Sequence, residues 1–130
     1  MSSPNYGLIA SSTFFIVPTI YGIYKGHTVL PIMSLLTTTA SINYWLDPIN
    51  PIKRKIDIFV STTGGIVYFM YGYKSLESSQ MRMIGYTNLC IILLSYNTSC
   101  MLYGNSNKLW IPFHIAFHYF SSISKFFVLQ

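Results

Sequence analysis

The chain has 130 residues, 52% of them hydrophobic and only 8% charged, against roughly a quarter charged in soluble domains. With a mean hydropathy of +0.44, this is the composition of a protein built for a bilayer. The formal net charge of +5 rests on few ionic groups and reads as an orientation signal and an attraction for anionic lipid. Without a basic stripe on a water-exposed surface, nucleic acid is excluded as a partner.

Five hydrophobic segments of helical length follow in order, at about 8–24, 28–46, 56–73, 83–103 and 109–129. None is much longer than the ~20 residues that cross a bilayer. The expected fold is all-α, a polytopic membrane bundle of about five transmembrane helices forming one domain over residues 1–130. In the first segment Pro18 predicts a kink, and Gly22 with Gly26 forms a small-xxx-small pair suited to helix contact. Lys25 and His27 mark the loop after it. In the second, Pro31 suits a first helical turn, while Ser34, Thr38, Ser41 and Trp45 share a face. The run Asp47-Pro48-Ile49-Asn50-Pro51 predicts an extended turn, with Lys53, Arg54 and Lys55 directly after it.

The third segment places Asp57, Ser61, Gly64 and Tyr68 on one face, and Gly64-Gly65 admits a close neighbour. The fourth carries a polar face of Asn88, Ser95 and Ser99. Its two cysteines, Cys90 and Cys100, would lie about 15 Å apart along a helix, too far to bridge. The Asn97-Thr98-Ser99 sequon falls inside this segment, where glycosylation is not expected. The fifth starts with Pro112 in its first turn. Its spacing puts His114, His118, Ser121 and Lys125 on one face of an otherwise apolar helix.

The dense Lys53-Arg54-Lys55 cluster favours a cytoplasmic N-terminus and a C-terminus on the opposite side. Residues 1–7 hold no Lys or Arg, so no cleaved secretory signal is expected. This topology brings Ser41, Trp45, Asp57, His114 and His118 into the cytoplasmic leaflet and leaves His27 at the opposite surface.

Two histidines four apart on a helix suit metal binding, because both side chains reach one point. Asp57 is the candidate third ligand, or an acceptor that orients a histidine or a water. Water on zinc ionises near neutral pH and attacks carbonyls, which inside a leaflet suits a lipid amide or ester. Two other readings stand beside this. The imidazoles can hydrogen-bond between helices, worth about 0.6 kcal/mol per bond in membranes. His114, His118, Ser121 and Lys125 can also line a proton or ion path. For Asp57 the alternative is a carboxylate that stabilises a helix start.

A serine near the end of one helix, an aspartate at the start of the next and His-x-x-x-His in the last resembles the CREST superfamily. That group includes alkaline ceramidases, adiponectin- and progestin-type receptors and enzymes that remodel lipid anchors. The resemblance implies a seven-helix, zinc-dependent lipid hydrolase in which Ser41 and Asp57 serve catalysis and His114 and His118 bind zinc. This chain departs from the family in two ways. The family's Ser-x-x-x-His, whose histidine is a third zinc ligand, here reads Ser41-Ile42-Asn43-Tyr44-Trp45, and tryptophan cannot bind zinc. Five candidate helices also stand where the family has seven. The functional expectation is a reduced, metal-dependent lipid hydrolase-like protein. The alternative is a non-enzymatic structural or assembly protein, with membrane lipids and a further copy or another membrane protein as partners.

Overall fold

The computed structural model describes residues 4–129, so residues 1–3 and 130, including the start of the stretch expected to carry no signal, lie outside the described residues. The described chain is all-helical, with five helices and no strand. Helix α1 (Tyr6–Tyr24) begins at Asn5, whose side chain accepts from the Leu8 N–H at 3.1 Å, an ordinary N-cap. It runs as α-helix over Tyr6–Ser12 and Ile16–Tyr24, joined by a 3-10 turn at Thr13–Phe15. Pro18 explains the turn: it has no N–H to offer the Phe14 carbonyl, and its ring crowds that carbonyl. The predicted kink thus takes the form of a tightened turn just before the proline. The Ser122 hydroxyl of the last helix donates to the Phe14 oxygen at 2.6 Å.

Gly26 closes α1 with φ +83°. The His27 N–H bonds the Gly22 carbonyl at 2.9 Å, and the Gly26 N–H bonds that of Ile23 at 3.0 Å. Gly26 is therefore a turn glycine, whereas Gly22 is a contact: a Cβ there would lie 2.7 Å from a Pro31 ring carbon. Helix α2 (Val29–Leu46) follows.

Helix α3 (Pro51–Ser75) begins earlier than the hydrophobic segment suggested, because Asn50 accepts from Ile52 N–H at 3.0 Å and Lys53 N–H at 3.3 Å and Pro51 sits in the first turn. Lys53, Arg54 and Lys55 are thus helical, and Lys53 pairs with Asp47 at 3.4 Å. Helices α4 (Ser79–Gly104) and α5 (Trp110–Val128) complete the chain. With 25 and 26 residues, α3 and α4 run roughly 37–39 Å, beyond the ~30 Å of a hydrocarbon core.

The helices run up and down in order. At one end the Asn5 N–H donates to the Trp45 carbonyl at 3.0 Å, and the Ser99 hydroxyl to the Trp110 carbonyl at 3.2 Å. At the other end Gly22 faces Pro31 and Leu129, Gly72 faces Val128, and the His27 ring meets Tyr71. Helices α1, α2, α3 and α5 close a ring, each packed on the next; α4 lies outside it against α5, and α3 and α4 touch at most marginally.

The packing is inverted relative to a water-soluble bundle. Ser11, Ser12, Ser34, Thr37, His118 and Lys125 are buried, while Ile20, Ile23, Phe59, Leu94 and Met101 face outward. The interior hydroxyls bond carbonyls of their own helix, Thr19 to Phe15, Thr37 to Met33 and Thr38 to Ser34, at 2.8–2.9 Å. The Tyr68 hydroxyl donates to the Leu30 carbonyl at 2.8 Å and is hydrogen-bonded to Ser34 at 2.5 Å. An apolar cluster of Leu30, Tyr68 and Leu129 fills the end remote from the histidines. Among the described residues α1 alone is, by length and composition, apolar enough to cross a membrane.

Candidate functional site

The histidines lie on the inward face of α5, one helical turn apart, with ring centres 4.8 Å from each other and planes nearly perpendicular. His118 is 3% exposed. Its Nδ1 is 2.7 Å from the Ser11 hydroxyl of α1. The Ser11 hydroxyl also reaches the Leu8 carbonyl of its own helix at 3.0 Å. The neighbouring Ser12 likewise donates to Leu8 O at 2.8 Å and accepts from the Ser41 hydroxyl of α2 at 2.9 Å.

His114 repeats the arrangement toward α4. The Ser99 hydroxyl donates to the Trp110 carbonyl and is 3.3 Å from His114 Nδ1. In both histidines Nδ1 is the nitrogen that meets a serine hydroxyl. Around His114 stand the rings of Trp45 at 5.2 Å, Phe117 at 5.4 Å, and Tyr96 and Trp110 at 6.2 Å. Trp45 is 6% exposed, and its Nε1–H is buried without a hydrogen-bond partner among the described residues.

Of the residues singled out in the sequence, Ser41, His114, His118 and Trp45 come together at one end of the ring. Asp57 begins the same end of α3 but sits nearly two turns into the helix, since α3 starts at Pro51. It accepts from Ser61 of its own helix at 3.4 Å. No described hydrogen bond or ion pair joins it to an imidazole. Lys125 is on the inward face as expected, its Nζ 4.4 Å from the Phe15 ring centre and 5.3 Å from that of Tyr68. Ser122, a full turn after His118, points inward in place of the expected Ser121.

Sequence reasoning overlooked Ser11 and Ser12. Their signal was present in the spacing of Leu8, Ser11, Phe15, Thr19 and Gly22, which marks one inward helix face. Ser99 was recognised as part of a polar face but not as the partner of His114.

No family model, no curated protein and no solved structure matches the chain. The zinc that the CREST resemblance implies can therefore be tested only against the donors. Catalytic zinc takes three protein ligands and a water. Two imidazole nitrogens are available here. The third family position is an indole, which has a donor and no lone pair in the ring plane. Among the described residues no three His, Cys, Asp or Glu side chains assemble as a ligand group. The donor set does not fit a three-ligand zinc site, and no reaction step through zinc follows from it.

Proposed function

We propose that this chain is a multi-pass integral membrane protein of structural or assembly type, in which a histidine–serine centre joins the helices at one end. The observation that carries this reading is the inverted packing: hydroxyls, two imidazoles and an ammonium inside, large apolar side chains outside. In hydrocarbon such polar groups must find partners within the bundle. His118 ties α5 to α1, His114 ties α5 to α4, and Ser41 ties α2 to α1. Lys53, Arg54 and Lys55 favour placing this end at the cytoplasmic face, with lipids and a further copy or another membrane protein as partners.

The test has two parts. The full chain expressed in cells stays with membranes through alkaline carbonate extraction; release into the supernatant defeats the reading. Alanine at His118 or His114 then lowers stability in detergent by about 0.6 and at most ~1.7 kcal/mol each, with no loss of any lipid turnover.

One observation favours a second reading, the reduced CREST-like lipid hydrolase. Ser41, through Ser12, and both histidines lie at one end of the ring. It requires hydrolysis of a lipid amide or ester by the purified protein that His118→Ala abolishes.

A further inference from the structure

We propose that the mouth of the cleft between α3 and α4, at the histidine end of the bundle, holds the headgroup of a zwitterionic phospholipid, with Arg54 on its phosphate and Asp57 on its ammonium. The proposal rests on the membrane reading above. Helices α3 and α4 are consecutive and both pack on α5, yet they touch each other at most marginally. A cleft therefore runs between them along α5, and in a bilayer it is lipid that fills such a gap. Its mouth is charged. Arg54 and Asp57 lie one turn apart near the start of α3, and no described ion pair joins them. Among the described residues the carboxylate meets the Ser61 hydroxyl of its own helix, at 3.4 Å, and no other donor. Phenols from α2 and α4 complete the mouth. That of Tyr44 interacts electrostatically with Arg54, Asp57 and Tyr103, and that of Tyr96 with Arg54 and Asp57. Tyr44 is held against Trp45 at 4.4 Å, Tyr103 against Trp110 at 5.2 Å and Tyr96 against Phe117 at 5.1 Å. Tyr44 and Tyr103 fall in the last turns of their helices, and α3 is longer than the hydrocarbon core, so this level is that of the headgroups. Asp57 decides the class of lipid. An anionic headgroup sets its charge against the carboxylate, whereas phosphoethanolamine or phosphocholine brings a cation of its own. Residues three apart on a helix have Cβ atoms about 5–6 Å apart, a spacing that suits a phosphate and an ammonium joined by two carbons. Guanidinium binds phosphate through paired N–H groups, and tyrosine rings attract ammonium.

The full chain is purified in detergent and equilibrated with equal amounts of phosphatidylcholine, phosphatidylethanolamine and phosphatidylglycerol of identical acyl chains. After a detergent wash, the lipid that elutes with the protein is extracted and counted by mass spectrometry. Wild type retains the zwitterionic lipids about tenfold over phosphatidylglycerol, the discrimination of one charged contact. Asp57→Asn brings that ratio to within about twofold, and Arg54→Gln lowers retention of the zwitterionic lipids about tenfold. Lys55→Gln, which removes the neighbouring cation, leaves the ratio unchanged. Arg54 is exposed, so its variant carries the test if Asp57→Asn fails to fold. Equal retention of the three lipids by wild type, or retention led by phosphatidylglycerol, overturns the proposal and leaves Lys53, Arg54 and Lys55 as a general attraction for anionic lipid. A preference that survives both Asp57→Asn and Arg54→Gln overturns it as well, since the lipid then sits elsewhere. With either result, a chain that resists carbonate extraction keeps the structural reading, whereas release by carbonate defeats both.

Discussion

Removal of the Ser122 hydroxyl tests how the first helix tolerates its proline. Pro18 cannot donate to the Phe14 carbonyl, and in the 3-10 turn the Ile16 N–H is directed toward that oxygen from two residues away. Ser122 supplies a side-chain donor at 2.6 Å and is buried. Ser122→Ala leaves the carbonyl short of that partner, at a cost of about 1–1.7 kcal/mol, between the soluble range for an unsatisfied group and the largest value in membranes. In Pro18→Ala the restored N–H at residue 18 reaches the Phe14 oxygen, so losing Ser122 costs only a few tenths. The double-mutant cycle then gives a coupling of about 1 kcal/mol between two residues on different helices. Denaturation in mixed micelles, followed by far-ultraviolet circular dichroism, reads all four corners. A coupling under about 0.3 kcal/mol, the usual limit for independent sites, refutes the idea that Ser122 compensates for Pro18.

The remaining predictions use the same purified protein. Both tryptophans of the chain face His114, at 5.2 and 6.2 Å, so His114→Phe changes the surroundings of both indoles and shifts tryptophan emission; unchanged emission means the rings are apart. Gly22→Ala drives a Cβ against the rigid Pro31 ring and costs about 1–3 kcal/mol of thermal stability. Gly65→Ala meets nothing within 4 Å and gains up to about 1 kcal/mol from helix propensity, so equal melting shifts for the two glycines refute the packing described. Cys90 is exposed on the side of α4, yet a water-soluble maleimide leaves it unmodified in intact membranes and labels it after denaturation. Rapid labelling in membranes contradicts a lipid-facing α4.

The five helices were legible because apolar runs of suitable length are separated by Pro-, Gly- and Asn-rich breaks. The inward placement of His114, His118, Ser41 and Trp45 was legible because the 3.6-residue period fixes which side chains share a face. Individual ends were not. The start of α3 depends on Asn50 receiving two backbone donors, and that choice moves Asp57 from a helix start to nearly two turns inside. Near His118 the period allowed either Ser121 or Ser122. The Phe14 carbonyl, freed by a proline on another helix, decides for Ser122. Pairing across helices, such as Ser11 with His118, was hidden because short hydroxyl side chains are common in membrane helices and carry no partner label. By length and composition α1 alone among the described helices is apolar enough to cross a membrane.

The ring is sealed by its first and last helices, with Ser11 and His118 separated by 107 positions and Phe14 and Ser122 by 108. During synthesis the hydroxyl-lined faces of α1 and α2 are made long before α5 exists to cover them. Until the ribosome releases the C-terminal stretch, the nascent protein therefore carries an uncovered polar groove open to any neighbouring polypeptide. Chains cut short before α5 are left in that open form.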